Sequence, residues 1–162
     1  KEERHNKVST MAFFKKKKPE KNTILDVANI QTGCKAANSD EAIVSVGKML
    51  LNAGLISEGY IDGMLNRDHD ITTYIGNDIA IPHGEYEVKD CVKKTGLAVQ
   101  VYPEGIEWGG GKVRLVIGIA ATTDEHVKIL QNIAEKLCDM DTVDKVVASG
   151  DPKYIHQVLT GE

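Results

Sequence analysis

Apolar residues along this chain switch between helical spacing and short, strand-like runs. Ile43, Val46, Leu50 and Ala53 recur at intervals of three and four, which places them on one face of a helix. Asn38 with Glu41 three residues on has the form of a capping box at its start, and Gly54 can end it. Ser57 can cap a second helix that turns Ile61, Met64 and Leu65 inward and ends near Arg67-Asp68. Thr73 to Ile75 and Ile79 to Ile81 then read as short strands around Gly76-Asn77-Asp78.

The second half repeats the alternation. Leu97, Val99 and Val101 alternate with Ala98 and Gln100, which predicts a strand with one better-buried face. Val113 to Ala121 is almost continuously aliphatic, the pattern of a strand covered on both faces. Between them, Tyr102-Pro103-Glu104-Gly105 and Gly109-Gly110-Gly111 predict a mobile hairpin or crossover. Thr122 with Glu125 forms another capping-box pattern, and Val127, Leu130, Ile133, Ala134 and Leu137 give that helix its buried stripe. A short helix over about Asp141 to Ala148 follows, and Asp151-Pro152 opens the last one, with proline at the first helical position. Strands interleaved with helices imply an α/β domain, a sheet covered by helices.

Composition refines this picture. The 162 residues suit one domain plus a short extension, and 41% apolar content supplies a core that aromatics, at 5%, cannot dominate. Net charge is −4, which gives no case for nucleic-acid binding. The charge is uneven: residues 1–22 hold eight Lys/Arg against three Asp/Glu. This segment reads as a disordered leader, with Met11 as a natural start; Phe13-Phe14 beside Lys15 to Lys18 also has the make-up of a weak tether to anionic membrane. The lysines follow Met11-Ala12-Phe13-Phe14 rather than precede it, unlike a signal peptide. Val113 to Ala121 contains Arg114 and is too short to span a bilayer. Cys34, Cys91 and Cys138 lie far apart with no C-x-x-C pairing, as expected of a reduced cytosolic protein.

The chemistry concentrates at Pro82-His83-Gly84. Proline fixes φ and removes a donor where the Ile79 to Ile81 strand should stop, and glycine after the histidine lets the backbone turn and approach a partner closely. The imidazole is thus held on a rigid strand end. Histidine is a good nucleophile near neutral pH, because its free base is well populated there. His126 lies in the first turn of the helix after the most buried strand, and Arg67 lies at the end of the second helix. Helix starts that follow central strands gather where α/β sheets place their sites, and they favour anions. Two imidazoles and a guanidinium in such a place can hold a phosphoryl group.

Plainer readings compete. His126 can be a surface residue of a polar turn, and Arg67 can neutralise Asp68 and Asp70 or complement the helix end. Glu104 and Glu107 read as solvated charges, and Cys34 and Cys138 as small buried hydrophobes. His69 and His156 receive no role. A metal site at His83 and His126 lacks a clear third ligand.

Three stretches together resemble the IIA component of the bacterial phosphoenolpyruvate:sugar phosphotransferase system, mannitol/fructose family. They are Met64 to Arg67 with Thr73 to Gly84, then Tyr102-Pro103-Glu104-Gly105-Ile106-Glu107-Trp108-Gly109, then Leu115 to Ala121 with Asp124-Glu125-His126. The middle stretch is similar to the loop of the mannitol branch. The resemblance implies a mixed sheet flanked by helices on both faces, in a domain over residues 23–162. His83 is then the phospho-accepting nucleophile, through its tele nitrogen, with Arg67 and His126 as neighbours. The donor is phospho-HPr and the acceptor a cysteine of the IIB component, which serves the membrane IIC component. No metal or separate cofactor is implied, and the setting is cytoplasmic. A fructose-type IIA and a nitrogen-related IIA regulator are the alternatives. The basic segment has no counterpart in the family pattern, and the middle loop is short, with three consecutive glycines. No cysteine sits in a IIB-like loop and no span is present, so IIB and IIC are expected on other chains.

Overall fold

The computed structural model describes residues 24–161. The basic segment 1–22, and with it the leader and tether readings, lies outside the described residues. A five-stranded sheet runs in the order β1-β4-β5-β3-β2. Its strands are β1 (Ile30–Gln31), β2 (Tyr74–Gly76), β3 (Ile79–Ala80), β4 (Gly96–Trp108) and β5 (Gly111–Ala120). The helices are α1 (Ser39–Asn52), α2 (Gly59–Asp70), α3 (Thr123–Lys136), α4 (Met140–Ser149) and α5 (Pro152–Thr160). The sheet is mixed: β4 and β5 pair antiparallel, β1 runs parallel to β4, and β3 runs parallel to β5, with Ile79 opposite Leu115.

Alternation along β4 and β5 sends side chains into two cores. Val99, Val101, Leu115, Ile117 and Ile119 pack with Ile129 and Ile133 of α3, Val143 and Val146 of α4, and Ile155 of α5. Ala98, Tyr102, Val113, Val116 and Ala120 pack with Ile43, Val46 and Leu50 of α1 and with Ile61 and Met64 of α2. Helices therefore cover both faces, as expected. A side chain at Gly118 would meet Val46 at 3.0 Å, so this glycine lets α1 lie close to β5.

Several expectations need correction. The segment read as a mobile hairpin or crossover is a hairpin, but most of it is strand: β4 continues to Trp108, and the turn is only Gly109-Gly110. Residues 102–105 sit in an irregularity between the pairs Val101–Leu115 and Ile106–Val113, which is where a strand tolerates Pro103 and Gly105. Helix α2 has no side-chain cap; the Ser57 hydroxyl donates to the Cys91 carbonyl instead. Its last turn continues to Asp70 because the Ile71 N–H closes onto the Arg67 carbonyl. In α3 the buried row is Ile129 and Ile133, continued by Leu137 just past the helix end, spaced by four; Val127 is 60% exposed and Ala134 is exposed, because they lie off that row. Ala53 is exposed beyond the end of α1, and Cys138 is exposed rather than buried. Cys34 and Cys91 are half-buried, and all three thiols are free. The two residues of β1 gave no pattern to read.

The β2–β3 turn ties the sheet to α3. Asn77 and Asp78 adopt φ of 50° and 62°, the left-handed pair that closes a two-residue hairpin. The Asn77 side-chain amide donates to the carbonyls of Leu137 (3.1 Å) and Cys138 (3.0 Å), just past the end of α3. Arg114 bonds Asp78 and Asp144, each at 2.7 Å, and so ties the same turn to α4. Asn77→Ala should lower unfolding stability by about 2 kcal/mol, from the lost bonds and the left-handed backbone together. Asn77→Gly, which removes only the bonds, should lose less; urea titration of both checks the order.

Candidate active site

Three elements converge on one imidazole. β3 leads through Ile81 and Pro82 to His83, and the ladder beside β5 resumes there as a single parallel bridge between His83 and Ile119. The Ile119 N–H donates to the Pro82 carbonyl at 2.9 Å, so proline interrupts the ladder without ending it. The His83 ring is buried, 9% exposed, and its Nδ1 lies 2.8 Å from the Ile81 carbonyl oxygen. A carbonyl can only accept, so Nδ1 carries the proton and Nε2 keeps its lone pair.

His126 meets this ring edge-on, with centroids 4.9 Å apart and planes at 68°. It sits in the first turn of α3, whose start is fixed by the capping box of Thr122 and Glu125 and by the Thr95 hydroxyl donating to Glu125 at 2.6 Å. The Ala121 backbone bonds the His126 ring, while its Nε2 is buried without a hydrogen-bond partner. Both imidazoles therefore present an uncommitted Nε2. Arg67, half-buried in the last turn of α2, donates through Nη1 to the Ile71 carbonyl at 2.5 Å. It thus does complement the helix end, and its charge also reaches both histidines.

Burial above all pushes His83 down to about 4; the Ile81 bond opposes this, and His126 and Arg67 reinforce it. His126 is lowered too, again chiefly by burial. Both rings are neutral at pH 7, in a place where Arg67 and the α3 N-terminus favour an incoming anion. The arrangement suits a nucleophilic nitrogen that takes up a phosphoryl group.

The sequence did not single out two contributors. Tyr60 is fully buried, and its hydroxyl donates to the Ile119 carbonyl at 2.7 Å. Its ring occupies the space a Gly84 side chain would need, 2.4 Å from that Cβ position. The glycine after His83 therefore serves a close approach within the chain. The other is Asp68, whose Oδ1 accepts from the Thr73 N–H (2.8 Å), the Thr73 hydroxyl (2.6 Å) and Trp108 Nε1 (3.0 Å). In sequence Asp68 looks like Asp70; the bonds from Thr73 and the distant Trp108 distinguish it in the fold.

Other candidates lie apart. His69 pairs with Asp40 at 2.7 Å on the surface, and His156 Nε2 donates to the Leu25 carbonyl at 2.9 Å, anchoring α5. Glu104 and Glu107 are exposed, Glu104 with Lys35 3.8 Å away. Among the described residues no group of three or more His, Cys, Asp or Glu could hold a metal ion.

Residues 23–161 match the family profile described as phosphoenolpyruvate-dependent sugar phosphotransferase system, EIIA 2. The chain is 41% identical over 139 residues to the multiphosphoryl transfer protein of Escherichia coli O157:H7, covering 85% of this chain and 37% of that protein. It is 36% identical over 140 residues to the mannitol-specific EIICBA component of Escherichia coli K12, covering 85% of this chain and 22% of that protein. The chain thus spans well under half the length of these relatives. Its structure is similar to the crystal structure of IIA mannitol from Escherichia coli, with TM-score 0.80 and 36% identity over 83% of this chain and 98% of that one. It is also similar to a chain in the complex of IIA and phosphorylated IIB of the Escherichia coli mannitol system, with TM-score 0.79 and 36% identity over 83% and 95% of the two chains.

The lowered proton affinity of the histidines makes stability depend on pH. Unfolding frees His83 to bind a proton near its ordinary value of 6.5, whereas the folded ring resists protonation down to about 4. Stability is therefore present above pH 6.5 and lost as pH falls towards 4, by roughly 3 kcal/mol for His83. Urea midpoints measured from pH 7 to pH 4 should fall more steeply for the wild-type chain than for His83→Gln.

Proposed function

Since this chain belongs to the EIIA 2 family of the phosphoenolpyruvate-dependent sugar phosphotransferase system, we propose that it is a mannitol-type phosphocarrier unit whose nucleophile is His83. The observation that carries this reading is the Nδ1–Ile81 hydrogen bond, which leaves a neutral ring with its lone pair on Nε2. The donor is phospho-HPr. His83 Nε2 attacks its phosphorus, the donor's P–N bond breaks, and that electron pair returns to the donor imidazole. The His83 ring becomes cationic, and the Ile81 carbonyl on Nδ1–H stabilises that charge.

The acceptor is a cysteine thiolate of a IIB unit. Its sulfur attacks phosphorus in line, the P–N bond breaks, and the electrons return to Nε2, so His83 leaves as neutral imidazole with Nδ1 still protonated. Arg67 offsets charge on the phosphoryl oxygens, and His126 flanks them. Likeness to the IIA of a mannitol IIA–IIB complex supports the IIB acceptor, and the mannitol-specific relatives support the sugar branch. IIB and a membrane IIC unit complete the system. Among the described residues no helix is long and apolar enough to cross a membrane.

Incubation with phosphoenolpyruvate, enzyme I and HPr should place one acid-labile phosphoryl group on each chain. His83→Gln should take none, and Arg67→Gln should slow uptake by about 10²-fold. The labelled chain should pass the group to a mannitol IIB faster than to a fructose IIB. Full labelling of His83→Gln would overturn the reading, and faster transfer to the fructose IIB would move the chain to the other sugar branch.

A further inference from the structure

Asp68 is a hydrogen-bonding node next to the site. Its Oδ1 gathers three donors from two separate segments: the backbone N–H and the hydroxyl of Thr73, just before β2, and the indole of Trp108 at the end of β4. Asp68, Thr73 and Trp108 are all buried. A carboxylate with three hydrogen bonds in such a place is held in one position, and it fixes the last turn of α2, where Arg67 is its neighbour.

The same node reaches the nucleophile. The Thr73 carbonyl accepts from the Ile81 N–H at 3.0 Å, and the Ile81 carbonyl accepts from His83 Nδ1 at 2.8 Å. These bonds run through successive residues but not through shared amide groups, so they transmit position rather than electron density. From Trp108 the path runs to Asp68, then Thr73, Ile81 and the His83 ring. Asp68 therefore registers two chemical groups at once: the guanidinium next to it in sequence, and the carbonyl that selects the His83 tautomer.

We propose that Asp68, clamped by Thr73 and Trp108, is the positioning residue that holds Arg67 and His83 in register for phosphoryl transfer. The inference rests on His83 being the phosphoryl acceptor. Asp68 makes no hydrogen bond to the ring; its charge modestly raises the ring's proton affinity, and its positioning role runs through its neighbours. A misplacement of about 1 Å in such a site can cost about 10²-fold in rate. Removing one of the three bonds while keeping side-chain volume should cost less.

Thr73→Val and Trp108→Phe each delete one donor to Asp68. Each should lower the single-turnover rate of phosphoryl uptake from phospho-HPr by roughly tenfold, with the donor KM unchanged. In the Arg67→Gln background the same substitutions should cost clearly less, because part of what they disturb is already absent. A purely structural role would lower stability and leave the losses multiplicative. If either variant fails to fold, Asp68→Asn, which keeps the acceptor oxygen and removes the charge, carries the same expectation. Wild-type rates in these variants, or losses that multiply fully with Arg67→Gln, would overturn the inference. A wild-type chain that takes no phosphoryl group, or a His83→Gln chain that does, would instead overturn the reading of His83.

Discussion

The hydrogen bond from His83 Nδ1–H to the Ile81 carbonyl is the interaction on which the rest of the site depends. It decides which nitrogen keeps its lone pair, because an imidazole that donates from Nδ1 has only Nε2 free. In the proposed relay it serves both steps: the same carbonyl that orients the neutral ring would stabilise the cationic ring formed when phosphorus joins Nε2, and the ring would return to its starting tautomer without moving a proton.

Such a bond is stable only if the carbonyl cannot move. The sheet supplies that rigidity. β3 runs parallel to the buried β5, Pro82 passes its carbonyl to Ile119, and Tyr60 fills the space behind Gly84. Burial then keeps the ring neutral, while Arg67 and the start of α3 keep the site receptive to anions. The two histidines and the arginine come from three elements that meet only because α1 and α2 cover one face of the sheet and α3 to α5 the other.

Much of this could be read from the chain. Helices and long strands were legible because their apolar rows are regular: Ile43, Val46 and Leu50 in α1, and Leu115, Ile117 and Ile119 in β5, are buried. That His83, His126 and Arg67 gather in one place was legible because Pro82-His83-Gly84, the Thr122–Glu125 cap and the end of α2 each left a local signature. What escaped was whatever depends on a distant partner. The bulge lets β4 run through Pro103 and Gly105, which locally spell a loop. Val127 and Ala134 fit a helical stripe but lie off the row that meets the sheet. Asp68 looked like one charge among several until Trp108, forty residues on, placed its indole against it.

The proposed relay turns on one nitrogen, His83 Nε2, which NMR can read directly. ¹⁵N-labelled protein, phosphorylated from phosphoenolpyruvate through enzyme I and HPr, can be followed by long-range ¹H–¹⁵N correlation of its histidine rings. His83 should show a protonated Nδ1 before phosphorylation and a phosphorus-coupled Nε2 after it, with the other histidines unmodified. Phosphorus on Nδ1 of His83, or on His126, would contradict the proposed relay.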